Sequence, residues 1–188
     1  MSSFGKSGTA AKAAKYPADG MKDLEKMLTE SPSPERVSAK LAQVLNVSRN
    51  EVALLRVEKG SLRFVFPPEL RAAGVIPISS SAVAARTVAT GTSLLSNSFA
   101  RVKHVSLFES VKLGASEDNN SGSEQMPIQK IMSVPVSREG KVVGAIQVSR
   151  KGLDSSLAGT DLTNDDLRRL EQAATILAQM PFMEDGAS

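Results

Sequence analysis

Residues 130–149 constrain the fold more than any other part of this chain. Two runs rich in β-branched and aliphatic residues, 130–136 and 141–149, flank Arg138-Glu139-Gly140. Alternation at period two around a glycine predicts an antiparallel hairpin, closed by a three-residue loop with Gly140 in the left-handed position. In that register Ser137 opposes Lys141, Pro135 pairs with Val143, Ser133 with Ala145 and Ile131 with Gln147. One face then carries Met132, Val134, Val136, Val142, Gly144, Ile146 and Val148. Such an apolar surface has to be covered by helices. The other face carries Ile131, Ser133, Pro135, Val143, Ala145, Gln147 and Ser149. This mixed set either lines a pocket, which needs a few placed polar groups on apolar walls, or forms a solvated or loop-covered face.

Around the hairpin the chain reads as alternating short elements. Met21, Leu24, Met27 and Leu28 recur at helical spacing until Ser31-Pro32-Ser33-Pro34 interrupts them. A second helix follows, with Ser33 as N-cap, Pro34 in the first turn, and Val37, Leu41, Val44 and Leu45 as its buried stripe. Residues 51–57 and 61–66 form another hairpin about Glu58-Lys59-Gly60, ended by Pro67-Pro68. A short strand at 75–78 leads to Ser79-Ser80-Ser81, which caps a helix running through Thr90 with Gly91 as its stop. Leu94 and Leu95 predict another short strand. Residues 96–129 are irregular, with a helical turn at 105–113 and a polar stretch at 116–125 that reads as a binding loop, a lid or a disordered segment. Thr163 caps the last helix, where Leu167, Leu170, Ala174 and Leu177 make one stripe. Ala173, Ile176 and Met180 widen it, which predicts two packing partners, the sheet and a second subunit.

A chain of 188 residues is long enough for one α/β core without covalent staples. We expect a disordered N-terminal tail at 1–16, a single domain at 17–182 and a C-terminal tail at 183–188. Zero cysteines remove disulfides, thiolate metal sites, iron–sulfur clusters and thiol nucleophiles together. The 23 basic residues nearly balance 20 acidic ones, and only 4% of residues are aromatic, so the interleaved basic pattern of nucleic-acid binders is missing. The excess at Lys6, Lys12 and Lys15 reads as a solvated end. No apolar run approaches the roughly 20 residues that cross a bilayer, and residues 1–16 lack an apolar signal core, so a cytoplasmic protein without a membrane partner is expected. His104 is the sole histidine, which excludes a histidine-based triad and a two-histidine metal site within one chain. It reads as a surface or loop residue beside Lys103, with an axial haem ligand as the alternative. Gly5-Lys6-Ser7 follows no strand and no upstream glycine, so it is not a phosphate loop. No cofactor is expected.

The stretch 34–180 resembles the GAF family. The resemblance is carried by Ile131-Met132-Ser133-Val134-Pro135-Val136, Gly140, Val142-Val143-Gly144-Ala145-Ile146, and then Leu162-Thr163 with Asp165 opening the last helix. These residues are similar to the family's serine-containing strand ending in a Pro-aliphatic step, its glycine turn, its "viGvl"-like strand and its "ft.eDl..L" helix start. The resemblance implies an α+β fold of the profilin-like type. A central antiparallel sheet of five or six strands would carry the N- and C-terminal helices on one face, with short helices and loops on the other. Family members bind cyclic nucleotides, bilins, haem, 2-oxo acids, amino acids or nothing known, so the fold does not name a ligand. The family's free-methionine-sulfoxide reductases and bilin-attaching members work through cysteines, which this chain lacks. The cyclic-nucleotide signature of asparagine, lysine, phenylalanine, aspartate and glutamate is also unmet, because Phe108 is followed by Glu109-Ser110-Val111-Lys112.

The leading expectation is a non-enzymatic sensory or regulatory domain. It would bind a small ligand between the sheet and residues 96–129 and signal through its terminal helices to a downstream protein. Ser133, Gln147 and Ser149 are the ligand-binding candidates on the hairpin. Regional correspondence with the family's variable elements adds Arg86, Ser96, Asn97, Arg101 and Phe108. The alternative is a ligand-free homodimeric interaction scaffold, joined through the terminal helices. No nucleophile, base and orienting group can be placed together, so an enzyme is not expected.

Overall fold

The computed structural model describes residues 20–30, 32–101 and 126–185. The expected tail at 1–16, the helical turn at 105–113 and the polar loop at 116–125 lie outside the described residues.

The hairpin is present, and its turn is tighter than expected. Strands β5 (Ile128–Arg138) and β6 (Lys141–Lys151) pair directly at Arg138 and Lys141, leaving Glu139 and Gly140 alone in the turn. Their φ angles of 50° and 79° are both left-handed, as a two-residue primed turn demands. A register shift between Val136 and Ser137 then makes Val143 an extra residue. Pro135 therefore pairs with Ala145, Ser133 with Gln147 and Ile131 with Ser149, each two positions beyond the expected partner. A slip of two preserves the faces, so Ser133, Gln147 and Ser149 stay where the alternation put them. The bulge does exchange two residues. Val143 turns to the apolar helix side, and Val142 turns to the opposite side against the Leu55 cluster.

The same turn chemistry closes β1 (Val52–Glu58) and β2 (Ser61–Phe66), with Lys59 and Gly60 at φ 48° and 76° and Glu58 paired to Ser61. Short strands β3 (Val75–Pro77) and β4 (Leu94–Ser96) complete a six-stranded sheet in the order β3-β2-β1-β6-β5-β4. Every neighbouring pair is antiparallel.

Among the described residues three α-helices cover one face. They are α1 (Gly20–Met27), α2 (Pro34–Leu45) and the C-terminal helix α4 (Asn164–Leu177); the fourth, α3 (Val83–Thr90), lies on the other face. Ser33 caps α2 by accepting from the Arg36 N–H at 3.2 Å, and Asn46 ends it in a left-handed conformation. Thr163 and Asp166 form a reciprocal capping box on α4, at 3.1 Å and 2.8 Å. Met132, Ile146, Leu54, Leu41, Leu170 and Leu177 meet in the fully buried core between sheet and helices. The second apolar stripe of α4 is used inside the chain, since α1 and α2 pack on the same side and bury it. The observation that suggested a second subunit is thereby accounted for without one.

Beyond α4 the chain turns back. Arg138 donates to the carbonyls of Ala178 and Met180 and pairs with Glu184 at 3.0 Å, while Arg56 donates to the Phe182 carbonyl at 3.3 Å. Met183, expected in the tail, is buried against Gly144 of β6, where a side chain larger than hydrogen would strike the Leu55 backbone. Among the described residues no helix is long and apolar enough to cross a membrane.

Candidate functional site

On the sheet face away from α1, α2 and α4, side chains at alternate positions of the central strands point outward together. Register places Ala53 beside Gln147, and Ile131 beside Ser149. Helix α3 covers part of this face. Its Thr87 lies 2.8 Å from the Ser133 hydroxyl, and its Gly91 lies beside Val142. Away from α3, the turn Pro68–Ala73 and edge strand β3 border β1 and β2, leaving an open cavity of about 60 Å³.

Its apolar walls include Ala53, Phe64, Leu70, Ile76, Ile128 and Ile131, and its polar atoms come from Gln147, Ser149, Asn50 and Glu51. The Pro68–Ala73 turn forms because Pro67-Pro68 ends β2, with a proline in the first turn and Gly74 at φ 105° as its exit. Its Leu70 and Ala73, three residues apart, fall on one side of that turn and reach the cavity.

Each polar group at the cavity has a distinct state. Each oxygen of the Glu51 carboxylate accepts one backbone N–H, from Ser48 at 2.9 Å and from Lys151 at 2.8 Å. Ser149 donates to the Glu51 carbonyl at 3.4 Å, a long contact. The Lys151 ammonium donates to the Asn50 carbonyl at 3.0 Å. Burial pushes that ammonium below its ordinary value, and the Glu51 carboxylate opposes the shift. The side-chain Nε2 of Gln147 is buried and has no hydrogen-bond partner among the described residues. Buried amide donors are nearly always matched, so an unmatched one on a cavity wall marks a place where an acceptor is wanted.

The expected site residues separate. Gln147 and Ser149 line the cavity. Ser133 does not: it is fully buried beneath α3, where its hydroxyl is matched by Thr87. Asn97 is committed to the backbone of Leu162, donating to its carbonyl at 2.9 Å and accepting from its N–H at 2.8 Å. Arg86 is exposed on α3, and Ser96 sits on edge strand β4 opposite Ile131; neither lines the cavity. Arg101 ends the turn Phe99–Arg101, and its side chain lies outside the described residues, as do Phe108 and His104. Among the described residues the cavity wall is built from the 67–76 segment, and of the expected 96–129 segment Ile128 contributes, while residues 102–125 lie outside the described residues. Asn50, Glu51 and the 67–76 residues were missed because Pro67-Pro68 signals a stop and says nothing about what folds back over the sheet. The apolar pair Leu70 and Ala73 at turn spacing was the available signal. Among the described residues no three His, Cys, Asp or Glu gather as metal ligands.

Comparison with known proteins places this geometry. The sequence model of the GAF domain matches residues 35–180. The GAF domain of an Acinetobacter phosphoenolpyruvate-protein phosphotransferase superposes with a TM-score of 0.61 at 12% identity, over 86% of this chain and 90% of that one. The corresponding domain from Coxiella burnetii gives 0.60 at 9% identity, with the same shares of the two chains covered. The type II free methionine-R-sulfoxide reductase of Thermoplasma acidophilum, an enzyme, gives 0.51 at 14% identity, over 86% and 94%. At these identities the likeness is one of fold. No curated protein matches the chain in sequence.

Proposed function

The chain belongs to the GAF domain family, and from that premise we propose that it is a regulatory module that binds a small metabolite in the cavity beside Gln147 and reports occupancy through its helices. The observation that carries this reading is the unmatched Gln147 amide on the wall of an otherwise apolar cavity. The reading is of a binder, since the chain has no cysteine to act as a thiol nucleophile and no assembled set of nucleophile, base and orienting group is evident among the described residues.

A signalling route follows from what the cavity walls touch. Helix α2 is tied to them at both ends. Near its start, Glu35 pairs at 3.8 Å with Arg71, which also donates to the Val65 carbonyl from the turn that carries Leu70. Beyond its end, the connection through Ser48 is fastened to Glu51 at the cavity rim. A ligand that binds two positions of these walls unequally shifts α2, and with it α1 and α4, which pack against it.

The test is a thermal-shift screen of small metabolites against the intact chain and its Gln147→Met variant. Compounds that raise the melting temperature of the first and not of the second support the reading. A screen in which none does, together with a crystal structure whose cavity is filled by side chains, overturns it.

A further inference from the structure

Resting on the reading of this cavity as a ligand site, we propose that its ligand is a small uncharged molecule that presents a carbonyl oxygen to Gln147 from a compact aliphatic body. The hydrogen-bonding partner is fixed first. Gln147 Nε2 can only donate, so the ligand must supply an acceptor. Ser149 reinforces this. Its bond to the Glu51 carbonyl is long at 3.4 Å, so its hydroxyl can turn to the same oxygen, which has a second lone pair.

Charge is fixed next. Among the described residues no lysine or arginine lines the cavity, and the ionisable residue that does is Glu51. The nearby Lys151 ammonium donates to the Asn50 carbonyl and interacts with the Glu51 carboxylate, so these two charges offset each other. A bound carboxylate would find no cation on these walls, and desolvating it there is unfavourable. A cationic ligand fares no better. The Glu51 charge is already offset by Lys151, and the free donor of Gln147 would point at the ligand's positive charge. A neutral carbonyl meets the free donor without either conflict.

Size is fixed by the walls. The cavity volume of about 60 Å³ is well under half of the roughly 150 Å³ engineered cavity that accepts benzene. The enclosed part of the ligand is therefore a few heavy atoms, packed against Phe64, Leu70 and Ile131.

Butanone, propanamide and propanoate share one shape and differ in charge and polarity, so they separate these arguments. Each is titrated into the intact, isotopically labelled chain while the Gln147 side-chain amide resonances are followed. Butanone and propanamide are expected to shift them saturably, and propanoate is expected to bind at least about tenfold more weakly at neutral pH. In Gln147→Met the butanone affinity falls about tenfold while the rest of the amide spectrum is kept. Propanoate binding as tightly as butanone overturns the assignment of ligand class and leaves the cavity as a binding site. That comparison needs no variant, so it stands even if Gln147→Met fails to fold. Failure of all three probes to shift any cavity resonance removes the binding reading itself.

Discussion

The two faces of the sheet are built from different material. Against one lie α1, α2 and α4, long-sided helices whose Leu24, Leu41, Leu170 and Leu177 interlock with Met132 and Ile146 at no measurable exposure. Against the other lies α3, whose buried residues are Val83, Ala84, Ala85, Thr87 and Val88, together with the Pro68–Ala73 turn. Small residues let α3 approach closely but leave little bulk to fill the space beyond it. The first face is closely packed and supplies stability, although Ser38 Oγ of α2 and Asp166 Oδ1 of α4 are also buried without partners on its helices. The second keeps a cavity, a long Ser149 bond and an unmatched amide, imperfections of the kind a ligand removes.

This contrast can be broken with a matched pair of substitutions. Leu170→Ala empties a fully enclosed site and should cost roughly 4 kcal/mol in urea unfolding, near the upper part of the range for buried leucines. Leu70→Ala enlarges a space already open to solvent and should cost roughly half as much. Equal losses would mean that the cavity face is as tightly packed as the other. Thr163→Ala removes the α4 cap on the packed face and should cost about 1 kcal/mol, without altering ligand binding. Gln147→Met should act in the opposite direction and gain up to about 1 kcal/mol in the absence of ligand, because it deletes a buried donor with no partner. Loss of stability in that variant would show that the amide is matched in solution.

The smallest effect is one of pH. Lys151 has its folded value lowered from 10.5, so the unfolded chain holds this proton more tightly than the folded one. Below the folded value both states are charged and the folded state bears the full burial cost. As pH rises through that value towards 10.5 the folded state sheds the proton first, and stability rises with pH across that window. Lys151→Gln should flatten the slope in alkaline unfolding curves and leave the slope in the neutral region, where both states of the parent chain are charged, little changed.

Much of this architecture was legible in the sequence because its determinants are local. Period-two alternation gave β5 and β6, Ser33-Pro34 and Thr163 gave the starts of α2 and α4, and glycines in turns gave the hairpins. The turn length was misread because Glu139 as well as Gly140 takes a left-handed φ, a choice that a glutamate does not advertise. The site was legible only where alternation reaches. Gln147 and Ser149 followed from strand parity, which survives a slip of two residues. Ser133 has the same parity, yet which part of a face a short helix covers depends on tertiary packing, and α3 covers that part. Asn97 shows the other limit. A side-chain amide that clamps the backbone of Leu162, 65 positions away, cannot be told from a ligand-binding one by its place in the chain.

The central claim is that the cavity face carries an unmet donor where a ligand belongs, and a high-resolution crystal structure of the intact chain tests it most directly. The account predicts ordered density between Phe64, Leu70 and Ile131, a water or a small molecule, within hydrogen-bonding distance of Gln147 Nε2. A cavity closed by side chains, with that nitrogen bonded to a protein acceptor, would contradict it.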